Sequence, residues 1–248
     1  MNNFHSFEIN FTPSELYPPY ANTINLKFIN ANNLLKVEFN IKYIGREELA
    51  EDEILDEGFS LNDDYNWNGS LSSAWIAPIQ TLINKSTFAK EESEIKVLIE
   101  APKIISGSPE NIDEWAYFIQ EVTQAIYETS GKEANLEINF IKNFPQDLVT
   151  VNLKPEFKTR KFIAEIEKNN QKKVVELKWE DLKNTLQTVY LPEYVYENSL
   201  PTPGKAEGYY INIGEGIWFK ANEGVINLSD KDKSVSKLIE MFEKISKK

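Results

Sequence analysis

From Leu34 to Ile44 apolar and polar residues alternate: Leu35, Val37, Phe39, Ile41 and Tyr43 on one side, Lys36, Glu38, Asn40 and Lys42 on the other. A period of two puts each set on its own face of a strand, one buried and one wet, as in an antiparallel sheet. Phe7–Phe11 and Ile24–Ile29 read as two earlier strands, and Asn30-Ala31-Asn32-Asn33 suits the hairpin turn that leads into the third. The pattern then changes period. Ile112, Trp115, Ile119, Val122 and Ile126 recur at steps of three and four, which draws one apolar stripe down a helix. Ser108, Pro109 and Glu110 suit its N-terminal turn and Gly131 its C-terminal cap, so the spacing predicts a helix over 109–130. Leu71, Trp75, Ile79 and Leu82 predict a second helix, with Pro78 near its first turn.

The second half reads mainly as hairpins. Leu136–Ile141 and Leu148–Leu153 flank a turn at 143–147. Lys161–Glu167 and Lys172–Lys178 flank Asn169-Asn170, a good two-residue turn because asparagine tolerates positive φ. Trp179–Val189 reads as helical. Tyr209–Ile213 and Ile217–Lys220 turn at Gly214-Glu215-Gly216, with a third strand at Val225–Leu228. Ser229 suits the cap of a last helix over 230–246, whose stripe is Val235, Leu238, Ile239, Phe242 and Ile245. The fold class expected is α+β: mainly antiparallel hairpins packed against two long amphipathic helices, 109–130 and 230–246. A strand at 94–99, the first of these helices and the strand at 136–141 have the order of one βαβ crossover, which would make the two strands parallel neighbours. The division expected is an acidic region 1–131 and a hairpin-rich region 132–248, as two domains or as halves of one. The paired asparagines Asn32-Asn33 and Asn169-Asn170 hint at a duplication, but their flanking residues do not align.

Charge changes this picture most. The chain has 248 residues and a net charge of −12. That argues against nucleic acid or an anionic membrane surface as the partner. The charge is concentrated. Segment 46–64 carries Glu47, Glu48, Glu51, Asp52, Glu53, Asp56, Glu57, Asp63 and Asp64 against the single base Arg46. A compact negative patch speeds association with a positive protein, the physics used by small acidic proteins that neutralise basic toxins. The leading expectation is therefore a non-enzymatic, immunity- or inhibitor-like binding module. It engages a basic partner through Glu47, Glu48, Glu51, Asp52 and Asp56, with Tyr194 and Tyr196 of a Pro/Tyr-rich loop as apolar anchors or as pins of that loop. A solvated acidic face is the plain alternative.

Other chemistries are thinly supplied. There is no cysteine, which removes disulfides and thiolate sites and fits a reducing compartment. With no basic-then-apolar segment at the N-terminus and no long apolar run, the expected location is the cytoplasm. The many lysines, asparagines and isoleucines suit an AT-rich, bacterial genome. His5 is the one histidine, placed near an end expected to be loose, so histidine-based triads and metal sites are not supported. No G-x-S-x-G elbow and no phosphate loop occur. Asp64-Tyr65-Asn66-Trp67-Asn68-Gly69 has oxygen ligands at alternate positions followed by glycine, and so resembles the first half of an EF-hand calcium loop. The resemblance implies calcium held by Asp64, Asn66 and Asn68, although Trp75 stands where the family has its bidentate glutamate. Asx turns explain the same letters. Asp63 and Asp64 beside Tyr65, Trp67 and Trp75 are the best local match to a carboxylate-dependent site, the second functional expectation. Trp115, Trp179 and Trp218 read as core. A structural homo-oligomer subunit is the third.

Overall fold

Four strands open the structure, each turning back on the last: β1 (Ser6–Phe11), β2 (Asn22–Ala31), β3 (Leu34–Tyr43) and β4 (Tyr65–Leu71). They belong to a computed structural model that describes residues 4–31, 34–91, 93–100 and 104–248. The chain divides into two compact units, Met1–Glu133 and Ala134–Lys248. All ladders between the named strands are antiparallel, and among the described residues five α-helices accompany them.

In the first unit, α1 (Glu51–Asp56) lies between β3 and β4. After β4 come α2 (Ile76–Lys85), β5 (Phe88–Ala89), β6 (Ile95–Glu100), β7 (Ile105–Pro109) and α3 (Ile112–Ser130). One seven-stranded sheet results, in the order β4-β3-β2-β1-β6-β7-β5. Alternation puts Phe7, Ile9, Leu26, Phe28, Val37, Phe39, Val97 and Ile99 on its buried face. Helix α3 covers that face. Trp115 meets Phe7 edge-on with ring centroids 6.4 Å apart, Phe118 lies 6.1 Å from Phe28, and Tyr127 lies 6.1 Å from Phe39. The Trp115 indole N–H, buried with its ring, donates to Ser86 Oγ at 2.9 Å.

The second unit runs β8 (Ile138–Phe144), β9 (Asp147–Glu156), β10 (Lys161–Lys168), β11 (Gln171–Leu177), α4 (Leu182–Tyr190), β12 (Glu193–Tyr194), β13 (Gly208–Asn212), β14 (Phe219–Lys220), β15 (Val225–Ile226) and α5 (Ser234–Ile245). Its six-stranded sheet has the order β11-β10-β9-β8-β13-β14. Phe242 of α5 stacks on Phe140 of β8, the rings parallel and 4.4 Å apart. Lys142 of β8 bridges Asp147 and Glu243 at 2.8 and 2.9 Å, and so ties two strands to α5.

The two units share one plan. Each has a four-stranded meander, a 3-10 turn running into a helix, a two-residue strand, a hairpin added antiparallel to the first strand of the meander, and a last helix whose aromatic lies on a phenylalanine of that first strand. The order β4-β3-β2-β1-β6-β7 matches β11-β10-β9-β8-β13-β14 strand for strand. The asparagine pairs are not the mark of this recurrence. Asn169-Asn170 turns between the third and fourth strands of its unit, at φ 51° and 63°; Asn32-Asn33 falls between the second and third of the other and lies outside the described residues. The connection equivalent to Asn169-Asn170 in the first unit is the whole of 44–64, the acidic segment.

Several expectations are corrected. No crossover joins the strands on either side of α3, because β6 and β8 belong to different sheets. The four helices expected have counterparts in α2, α3, α4 and α5, to which the described residues add α1; of the two expected to be long, α3 has 19 residues but α5 only 12, beginning at Ser234, four residues late. Asp232 takes the Ser234 N–H at 2.9 Å there, and Ser229 is no cap. Ser108 and Pro109 end strand β7, and α3 starts after Asn111. Leu71 closes β4 and is not helical, and Pro102 lies outside the described residues. β15 pairs with β12 and not with β14. Trp218 is half-buried, whereas Trp75, Trp115 and Trp179 are buried. The chain is held from Phe4 onward: Phe4 is buried and its N–H donates to Gln80 Oε1 at 2.8 Å. Among the described residues no helix is long and apolar enough to cross a membrane.

Since the second unit closes the same hairpin with two residues, the first needs no more for its fold. Replacing residues 44–62 by Asn-Gly lets Tyr43 face Asp63 and continues the Ile41–Tyr65 register. The expected outcome is a chain whose far-UV circular dichroism loses only the helical signal of the deleted α1 and that keeps a cooperative thermal transition; loss of that transition contradicts the equivalence of the two units.

Candidate functional site

The 44–64 connection is a built structure. Gly45, at φ 74°, turns the chain out of β3 into a 3-10 turn at Arg46–Glu48. Next comes α1, whose first turn carries Glu51, Asp52 and Glu53, the favourable end of a helix for negative charge. Glu53 Oε2 takes the Ala50 N–H at 2.8 Å. Of this helix only Ile54 is buried; Glu47, Glu48, Glu51, Asp52, Glu53, Asp56 and Glu57 are all exposed.

Arg46 holds the connection closed. Its side chain is 10 % exposed. Nε donates to Pro19 O at 2.8 Å, and Nη1 donates to Asp63 Oδ2 at 2.7 Å and to Ser60 O at 3.2 Å. Nη2 is buried without a hydrogen-bond partner. The guanidinium carbon lies 3.8 Å from the Tyr43 ring centre and 4.4 Å from that of Phe59, so two π faces stand where further acceptors are missing. Phe59 also packs on Tyr20, whose hydroxyl donates to Glu57. One cation therefore joins residues 19, 43, 59, 60 and 63. An arginine suits this place because a planar fork can stack and donate at once.

The two adjacent aspartates serve the same frame. Ser60 donates to Asp63 through N–H and Oγ, and Asp64 Oδ1 accepts the Tyr43 N–H at 2.8 Å. Burial alone would raise Asp63. The hydrogen bonds from Ser60 and Arg46 outweigh it and hold the carboxyl below its ordinary value. Burial, with Tyr43, Glu133 and Tyr65 nearby, pushes the Tyr127 phenol up to about 12, so it stays neutral beside Tyr65. A permanently ionised, arginine-paired aspartate suits structure better than proton transfer.

The segment 64–69, where the sequence resembles half a calcium loop, is extended. Tyr65–Leu71 is a strand. An extended chain sets alternate side chains about 6.6 Å apart in a line, while an ion needs them curled around one point. Asn66 and Asn68 face outward on the sheet, and Asn40 Nδ2 donates to Asn66 Oδ1. Among the described residues no three His, Cys, Asp or Glu side chains gather as a metal group. Gly69 is needed for another reason: the Trp67 ring lies across it, 2.1 Å from where a Cβ would stand. Trp75, foreseen near the aspartates, is in the core.

Tyr194 and Tyr196 lie in the second unit, and both clasp Phe219, with ring centres 5.1 and 5.4 Å away. The Tyr194 hydroxyl donates to Val189 O at 2.6 Å; that of Tyr196 donates to Glu215 at 2.9 Å. Tyr196 remains 53 % exposed. Tyr194 pins its loop. What the sequence reading missed was the role of Arg46, noted only as the lone base. Its position between Tyr43 and Phe59 and amid nine acids was the available signal.

Comparisons with family models, with curated proteins and with solved structures find no match for this chain.

Two outcomes follow. Arg46→Ala should destabilise the first unit by about 2 kcal/mol, between the values for exposed and buried pairs, with Arg46→Lys intermediate, as read by urea denaturation. The Asp63 carboxyl titrates below its unfolded value near 3.9, so its stabilisation is complete above that pH and is lost as pH falls through the folded value. Asp63→Asn should therefore be less stable at pH 7 and should flatten the acid limb of a stability–pH curve.

Proposed function

We propose that this chain is a non-enzymatic cytoplasmic binding protein that engages a basic protein through the acidic 46–64 excursion, in the manner of an immunity protein or inhibitor. One observation carries the reading. The same hairpin position takes two residues in one unit and the whole of 44–64 in the other, and the longer connection holds nine of the chain's acids. The fold does not require that length. Packing does not explain the composition either, since Ile54 is the one buried residue of α1 and its carboxylates point to solvent. Held by Arg46, these charges form a preformed field, which speeds encounter and restrains the loss of loop entropy on binding. Glu47, Glu48, Glu51, Asp52 and Asp56 are the contact residues of this reading.

The test is capture from the source organism's lysate at low salt, with the intact chain and the 44–62 replacement side by side. A stoichiometric basic protein held by the first, released by a salt step and not held by the second, supports the reading. Equal retention by both overturns it. For a captured partner, the E47K/E48K/E51K/D52K variant should slow association by about 10-fold or more and flatten its salt dependence.

A further inference from the structure

Strand β4 closes one edge of the first unit's sheet, and β11 closes one edge of the second's. The two edges are built differently. β11 carries Lys172, Lys173 and Glu176, the kind of charge that keeps an edge from pairing. β4 reads Tyr-Asn-Trp-Asn-Gly-Ser-Leu, with no charged residue and no proline.

The register shows which backbone groups face away from the sheet. Asn30 N–H donates to His5 O at 2.8 Å, and Ile44 N–H to Ala21 O at 3.0 Å. Both bonds fix the phase of the ladder: even residues of β2 turn to β1, and even residues of β3 turn to β2. Leu35, Val37, Phe39 and Ile41 therefore bond to their β4 partners Leu71, Gly69, Trp67 and Tyr65. The N–H and C=O groups of Asn66, Asn68 and Ser70 point outward, and among the described residues none of them has a hydrogen-bond partner. All three side chains are exposed. Just upstream, Asp64 has capped the one outward N–H of β3 that β4 does not reach, that of Tyr43. The edge is finished at that point and open below it.

We propose that β4 is a docking edge that takes an extended, lysine-bearing segment of a basic protein as an additional strand, its backbone pairing with Asn66, Asn68 and Ser70. The proposal rests on the acidic-excursion reading for its partner and supplies the mode of contact. Charge selects the occupant. The excursion runs directly into Tyr65; on the open face Glu38 stands across from Asn68, between Lys36 across from Ser70 and Lys42 across from Asp64. A strand with a lysine registered against Asn68 sets that cation beside Glu38, and apolar residues at alternate positions continue the buried face beside Tyr65 and Trp67. A second copy of this chain would bring one body of net charge −12 against another.

The probe is a short peptide alternating valine and lysine, added at low salt to the full chain. Anisotropy should show saturable binding, and hydrogen–deuterium exchange should show new protection at the amides of 66, 68 and 70; absence of either overturns the proposal. Asn68→Pro removes an outward donor without touching the bonds to β3 and should weaken binding about 10-fold, while Asn68→Ala, which keeps the N–H, should stay within about 2-fold. Equal affinity of the two variants overturns edge pairing. If E47K/E48K/E51K/D52K abolishes binding while Asn68→Pro does not, the edge fails and the acidic reading stands. If only the charge reversal is silent, the acidic reading fails and a basic occupant with it. Concentration-dependent self-association that Asn68→Pro removes would make a second copy the occupant and overturn the proposal. The exchange measurement needs no variant, so it decides the case even if Asn68→Pro does not fold.

Discussion

A cation amid nine acids is the constraint on which the candidate site depends. Left alone, the 46–64 excursion would repel itself and sample many shapes. Arg46 neutralises one carboxylate, accepts two aromatic rings against its planar group and donates to two backbone carbonyls. Its own desolvation is offset only because these contacts are made together. The remaining carboxylates are then presented on a closed loop. Restraint and display are two effects of one residue, placed at the third position after the strand.

Beneath the loop the fold is ordinary sheet physics carried out twice. Alternation sorts each strand into a buried and a wet face, and aromatic pairs fasten one helix to each buried face. The wet faces are alike as well. In the first unit Asn10, Asn25, Asn40 and Asn66 sit directly across from one another on four strands. In the second, Asn139 and Asn152 also sit across from each other on its first two strands. The meander, the hairpin added to it and the covering helix recur without the turn sequences recurring, because many sequences satisfy one alternation of faces.

Much of this was legible before any coordinates. The strand of 34–44, the Asn169-Asn170 turn and the stripe of Trp115, Ile119, Val122 and Ile126 all follow from period and turn chemistry. What failed did so for physical reasons. Asn66, Asn68 and Gly69 are turn-formers, and their letters hid a period-two strand whose inward residues are Tyr65, Trp67 and Leu71. Ser108-Pro109 is a fair helix start, but a strand partner at Phe88–Ala89 claimed it for a sheet. The crossover was an error of partnership: order along the chain does not say which sheet a strand joins. The acidic residues of the site were legible as charge. Their anchor was not, since the stacking of Arg46 on Tyr43 and Phe59 joins residues that only the closed loop brings together.

The turn at Asn169-Asn170 has a wider meaning once the two units are compared. It is the place in the second unit where the first carries its whole acidic segment, and it holds two residues. A scaffold with the same socket twice can exchange what is plugged into one of them without disturbing the sheet below, as surface turns in general tolerate insertion. Variation at this position then becomes a matter of swapping cassettes, and the short turn at Asn169-Asn170 is where a second insertion has room to arise.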